Sequence, residues 1–188
     1  MTQTLRDLAL PCALAAGWTL MALPALADDG RRQAAVVQAK MNSYEEVPSV
    51  SSTGNGTFKA RIDKATGEVD YDFSYEEMQG TVLQAHIHFG QQGVNGGISV
   101  WLCQSAVNPA PAAVAATTPT CASPAGVYSG RITAASVVGP GGAQQLGASE
   151  LEELVAALRA GVAYVNVHTN LSPGGEIRGQ IRTGHHHH

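Results

Sequence analysis

Basic charge is scarce in this chain: 11 lysines and arginines stand against 15 aspartates and glutamates, a net charge of −4. A mildly acidic chain of this kind has no electrostatic footprint for nucleic acid. Long apolar runs are scarce too. Leu8 to Leu23 is one, and no second apolar span follows that would hold the chain in a membrane. There is no internal repeat, which argues against solenoids, and no glycine loop of the phosphate-binding kind. Cysteines number three. Histidine is nearly as rare. Of the seven, four form the terminal run His185 to His188, which reads as a truncated purification tag, and residues 183–188 are set aside as its remnant. That leaves His86, His88 and His168.

The N-terminus reads as a secretory signal peptide over residues 1–27. Arg6 supplies the positive region, Leu8 to Leu23 the apolar one, and Ala25-Leu26-Ala27 the small-x-small cleavage site. Asp28 is then the first mature residue, and the protein is expected in the periplasm or outside the cell, with no membrane attachment after the signal is removed. Residues 28–182 make one domain by length. Cys12 leaves with the signal, so Cys103 and Cys121 remain. An isolated pair in an exported chain is expected to form a disulfide. The competing reading makes Cys103 a thiolate ligand beside the histidines, as in blue copper sites.

The three histidines share one layout. In Thr81 to Gly90 (TVLQAHIHFG), Leu83, Ala85, Ile87 and Phe89 are apolar, and Gln84, His86 and His88 alternate with them. Side chains two apart on a strand point the same way, and a rise of about 3.3 Å per residue puts their Cβ atoms roughly 6–7 Å apart. Two imidazoles at that spacing can converge on one ion at about 2.0–2.1 Å. In Val162 to Thr169 (VAYVNVHT), Val165 and Val167 read as core, and Asn166 and His168 as facing away from it. If the two strands are neighbours, all three histidines lie on one outward, solvent-facing side.

The rest of the chain fits short strands. Ala34 to Met41 is a first strand. Gly54 to Asp63 and Glu68 to Glu77 read as a hairpin about the turn Lys64 to Gly67, with Val69, Tyr71, Phe73 and Tyr75 inward. Ile98 to Cys103 and Gly126 to Ala134 are further strands, and Gln104 to Pro124 is an irregular loop stapled by the disulfide. Ser149 to Ala160 is the one helix: Ser149 and Glu152 form a capping box, Leu151, Leu154, Val155 and Leu158 an apolar stripe, and Gly161 the residue after the C-terminus. Glu176 to Arg182 closes the fold. Many alternating strands with Gly/Pro turns predict an all-β, antiparallel Greek-key or Ig-like β-sandwich with one short helix at 149–160. Asp28-Asp29 and Glu45-Glu46 read as ordinary exposed pairs.

Several runs resemble the CHRD domain, a module of extracellular chordin and of bacterial exported proteins. They are Glu45-Glu46-Val47-Pro48, His86-Ile87-His88 with Gly90, Asn95-Gly96, Tyr164 to Thr169, and Pro173 to Gln180 (PGGEIRGQ). The resemblance covers about Val37 to Ile181 and implies an extracytoplasmic β-sandwich whose recurring histidines are His86, His88 and His168. A weaker likeness is to copper–zinc superoxide dismutases, which also carry His-x-His before a glycine-rich turn. This chain lacks the histidine and aspartate cluster of their zinc loop.

The functional expectation is a metal centre at His86, His88 and His168, with copper first and zinc second. Asn166, Glu176 and Arg178 are candidates to hold the ligands in place, and Met41, Met78 and Glu176 to supply a fourth. The protein would store, deliver or exchange electrons through copper. The alternatives are a superoxide-directed copper enzyme and a metal-free extracellular interaction module. A homodimer contact or another protein partner would use the histidine face. Whether the site turns over a substrate is left open, with a binding role preferred.

Overall fold

The computed structural model describes residues 35–184. The signal segment, the polar residues up to Gln33, Ala34 and the terminal histidine run lie outside the described residues. Among those described, the strands are β1 (Ala35–Asn42), β2 (Asn55–Ile62), β3 (Val69–Glu76), β4 (Val82–Phe89), β5 (Gly97–Cys103), β6 (Gly126–Ile132), β7 (Ala163–Thr169), β8 (Ile177–Gln180) and β9 (Arg182–Thr183). Two helices accompany them, α1 (Ala112–Ala115) and α2 (Leu151–Ala160).

The strands pair antiparallel in the order β5-β4-β7-β8-β1-β2-β3-β6, with β9 continuing beside β1. The expected all-β antiparallel fold is therefore present, and the sheet curls until it is nearly closed like a barrel. The chain passes between its two halves at β3 to β4, at β5 to β6 and again at β6 to β7, so neighbours in sequence are not always neighbours in the sheet. The halves meet along β1, where Asn42 pairs with Arg178 and Val37 with Thr183. Pairing thus continues past residue 182, and the Gly184 N–H donates to the Val36 carbonyl at 2.9 Å.

Alternation builds the core. On β2 and β3 the expected hairpin pairs in register from Asn55↔Glu76 to Ile62↔Val69. Phe58, Ala60, Ile62, Val69, Phe73 and Tyr75 all face one apolar cluster that also takes Val37, Ala85, Ile87, Val100, Val165 and Val167 from the other strands. Met41 and Met78 belong to this cluster too, so neither is available to the histidines as a ligand. At Gly56 a Cβ would come within 2.6 Å of both Met41 Cε and the Ser74 carbonyl oxygen, so β1, β2 and β3 can close up only with glycine there.

Three local expectations are corrected. The β4 pairing shifts between Val82 and Gln84, so Val82 enters the core instead of Leu83. On β5, Ile98 is only half-buried, and Ser99 and Cys103, opposite the apolar positions, are fully buried. At the helix, Ser149 adopts a left-handed φ of 66° and its N–H is tied to the Val137 carbonyl at 2.9 Å. An N-cap serine needs extended backbone, so the capping box does not form. Glu150 is the cap residue, without a side-chain cap, and its carboxylate instead accepts from the Gly147 N–H at 2.6 Å. The apolar stripe holds: Leu154, Val155 and Leu158 are buried, and Gly161 ends the helix at φ 71°.

Cys103 and Cys121 are bonded, with Cα atoms 5.0 Å apart. The thiolate-ligand reading of Cys103 is thereby withdrawn, since a disulfide sulfur has no free charge to donate. The loop they close is more ordered than its Ala/Pro/Thr composition suggests. It contains α1, and Gln104 Nε2 donates to the carbonyls of Ala115 and Thr118 at 2.7 Å each.

Candidate metal centre

β4 lies between β5 and β7, and register alone sets the face of each side chain. Gln84 pairs with His168, His86 with Asn166 and His88 with Tyr164 across to β7; His86 pairs with Trp101 across to β5. Asn166 pairs in turn with Arg178, and Tyr164 with Gln180, across to β8. Cross-strand partners share a face. The side opposite the core therefore carries His86, His88, His168, Trp101, Tyr164, Asn166, Arg178 and Gln180. The three histidines do converge: one ring nitrogen from each lies within 4.8 Å of the others.

The expectation that this face is open to solvent is overturned. His86 is 0% exposed, His88 7% and His168 8%. The reason is tertiary: alternation tells the two faces of a strand apart, but not whether something covers the second one. Here the neighbouring connections close over it. The Gln91–Gly96 turn is held by Arg178, whose guanidinium donates to Asn95 Oδ1 at 3.1 Å and to the Val94 carbonyl at 2.8 Å. Asn95 Nδ2 donates in turn to the Val47 carbonyl at 3.0 Å, which docks the segment after β1.

The ring nitrogens divide by role. His88 Nδ1 donates to the Gly96 carbonyl at 2.9 Å and His168 Nδ1 to the Pro173 carbonyl at 2.9 Å. A carbonyl only accepts, so His88 carries its proton on Nδ1 and presents an Nε2 lone pair; His168 meets an acceptor oxygen at each nitrogen and, while neutral, can donate to only one of them. His88 Nε2 has no partner, and His86 has none at either nitrogen. His168 Nε2 meets the Asn166 amide at 3.0 Å. The contacting atom is the amide oxygen Oδ1, an acceptor, so the neutral ring leaves one of its two nitrogens facing an oxygen with no proton between them. Imidazoles fixed through the distal N–H to a backbone carbonyl are how metal sites set tautomer and ring orientation.

Aromatic neighbours wall the cluster. Trp101 meets His86 edge-on with centroids 4.2 Å apart, and Tyr164 stacks on His88 at 4.7 Å and 5°. The Arg178 guanidinium lies 3.4 Å from the Tyr164 ring centroid. Burial drives the histidines toward the neutral form. It pulls His86 down to about 2, helped by its two histidine neighbours, and His88 down to about 4. His168 is lowered as well, by burial against the opposing bond to Pro173. All three are uncharged at neutral pH, which is the form that ligates.

Of the residues expected to hold the ligands, Asn166 does contact one. Arg178 acts on the turn and on Tyr164. Glu176 does neither of the things expected of it. Its carboxylate accepts from Ser52 Oγ at 2.6 Å, the Gln79 N–H at 2.7 Å, the Gly80 N–H at 3.1 Å and Thr169 Oγ1 at 2.7 Å. Burial alone would raise its pKa, but those four bonds hold it below its usual range. Glu176 is a staple between three connections, with no valence left for a histidine or a metal.

Two residues at the site were not singled out in the sequence. Trp101 could have been found from the β4–β5 hairpin, since it alternates against Val100 and Leu102. Glu46 is the other. Read as exposed, it is 5% exposed, and burial pushes its pKa up to about 7 despite the nearby Arg178 and its bond to Asn166. The signal available was its place in the Glu45 to Pro48 run.

No curated protein and no solved structure matches the chain significantly. The family model that matches is the CHRD domain, over residues 37–181, a span that contains the whole core, all three histidines and the disulfide. The sheet, the conjunction of histidine strands and that match agree, and the chain belongs to the CHRD domain family.

Proposed function

We propose that the domain binds one transition-metal ion through His86, His88 and His168, with copper the first choice and zinc the second. His86 is the observation that carries this. It is a wholly buried imidazole with no hydrogen-bond partner at either nitrogen, an arrangement that costs about 1–3 kcal/mol per unsatisfied group. His88 turns an unpartnered Nε2 to the same place, and His168 brings a third ring nitrogen within 4.8 Å. Imidazole suits copper, zinc, nickel and iron. Tetrahedral donors at about 2.05 Å sit roughly 3.3 Å apart, so rings whose nitrogens spread over up to 4.8 Å close by a small rotation on binding.

The burial supports storage, delivery or electron transfer over turnover of a substrate at the ion. The disulfide and the Leu8 to Ala27 pattern support an exported protein, and N-terminal sequencing of the periplasmic form should read Asp28 first. A delivery partner would approach over the turns at 91–96 and 170–175.

The test is metal titration of protein lacking His185 to His188, beside a triple His→Ala variant at 86, 88 and 168. The parent should take up one equivalent and the variant none. Equal binding by both would place the site elsewhere, and no binding by either would leave a metal-free interaction module.

A further inference from the structure

We infer that the three-histidine site is built for a monovalent soft cation, Cu(I), in preference to any divalent ion. The inference rests on the metal-binding reading above and concerns charge. The cluster is three neutral nitrogen donors, and among the described residues no carboxylate or thiolate joins it. The nearby thiol and acids lie outside that cluster. Cys103 is in the disulfide. Glu176 is saturated by four hydrogen bonds. Glu46 is coupled to Arg178 and bonded to Asn166, and it is not part of the histidine cluster.

The one permanent charge that reaches the histidines is positive, the Arg178 guanidinium acting on His88. Moving an ion from water into such a place costs in proportion to the square of its charge, so a divalent ion faces about four times the desolvation of a monovalent one. The cluster itself holds no anion to offset it. Divalent zinc in protein sites fills a fourth position, and Cu(II) favours tetragonal sets. A filled-shell monovalent ion is satisfied by three nitrogens. The remaining walls, Trp101 against His86 and Tyr164 against His88, present π-systems, which attract a poorly hydrated cation without carrying formal charge.

The experiment is an anaerobic competition with protein lacking His185 to His188. Cu(I) held by a chromophoric chelator, and Cu(II), Zn(II) and Co(II) salts, are titrated separately at one pH. Trp101, the only tryptophan among the described residues, provides a fluorescence reading at the site itself. One equivalent of Cu(I) should bind at least about a thousandfold tighter than Zn(II) or Co(II), and tighter than Cu(II). Divalent ions binding as tightly as Cu(I) would overturn the inference and leave the metal site standing. No binding of any ion would overturn both. An Asn166→Asp variant adds the missing anion beside His168 and should narrow the Cu(I) preference by at least about tenfold. An unchanged ratio in folded Asn166→Asp protein would refute the charge argument. The parent's ion ranking decides the matter if that variant does not fold.

Discussion

Replacing His86 by leucine should make the metal-free protein more stable. Leucine is of similar volume and has no polar atoms. The substitution removes one buried donor and one buried acceptor, neither of which has a partner. Relief of that desolvation is about 2–6 kcal/mol for the two groups, and loss of the edge contact with Trp101 takes back about 0.5–1.5 kcal/mol. The expected gain at pH 7 is therefore about 0.5–5.5 kcal/mol, or a rise in Tm of several degrees for a domain of this size. The gain should grow in acid. Below pH 6.5 the unfolded chain protonates His86, but the native state, with its pKa near 2, does not. Parent stability therefore falls with decreasing pH by about 1.4 kcal/mol per unit from this residue, or about 2 kcal/mol by pH 5. The leucine variant escapes that loss. Glu46 titrates identically in both proteins and cancels in the difference. The assay is urea unfolding with chelator present at pH 7, 6 and 5. A variant destabilised by more than about 1 kcal/mol, with a pH slope equal to the parent's, would refute the reasoning. It would mean that His86 is satisfied in the fold and structural.

Metal should stay bound well below the ordinary histidine range. His88 is neutral down to about 4, so an equilibrium titration read by Trp101 fluorescence should place half-release nearer 4 than 6.5, short of acid unfolding. Glu46→Gln should flatten the alkaline side of the stability profile. Glu46 keeps its proton in the native state up to about 7 and loses it near 4.5 when unfolded, so its stabilising effect is complete below 4.5 and disappears as pH rises through 7. The parent should lose up to about 3 kcal/mol across that interval from this group, and a variant profile of the same slope by chemical denaturation would contradict the assignment. Replacing Cys103 and Cys121 by serine should cost about 3 kcal/mol in the chain-entropy estimate. Because the closed loop lies away from the histidines in sequence, metal stoichiometry should be unchanged; a loss of binding in folded double variant would show that the loop supports the site.

Most of the sheet was legible because it depends on local alternation. Val69, Phe73 and Tyr75 declared a buried face on β3 without reference to any other strand, and the turn residues Lys64 to Gly67 fixed their partner β2. The disulfide followed from cysteine count together with the export expected from the N-terminal pattern. The helix stripe was legible for the same reason, and its cap was not. Ser149 has the right chemistry, but a carbonyl contributed by Val137 sets its backbone, and a residue twelve positions away leaves no mark on the local pattern. The Val82–Gln84 shift is another such case, since a one-residue slip in pairing depends on the neighbour strand.

The site divides along the same line. Two histidines two apart on one strand and a third on another put their side of the sheet on record, and the choice of His86, His88 and His168 needed nothing more. Whether that side was wet or dry was decided only by tertiary structure. The Gln91–Gly96 turn, Arg178 and the segment after β1 close over it, and each is placed by bonds to residues far off in the chain. That covering changes the chemistry. Exposed imidazoles would titrate near their ordinary value and accept any first-row ion with water to complete it. Buried and neutral, the same three side chains stay deprotonated into acid, and any ion they take must be stripped of its water. Sequence determines which donors a strand presents to each side. The dielectric around them belongs to whatever packs on top, and no local periodicity encodes it.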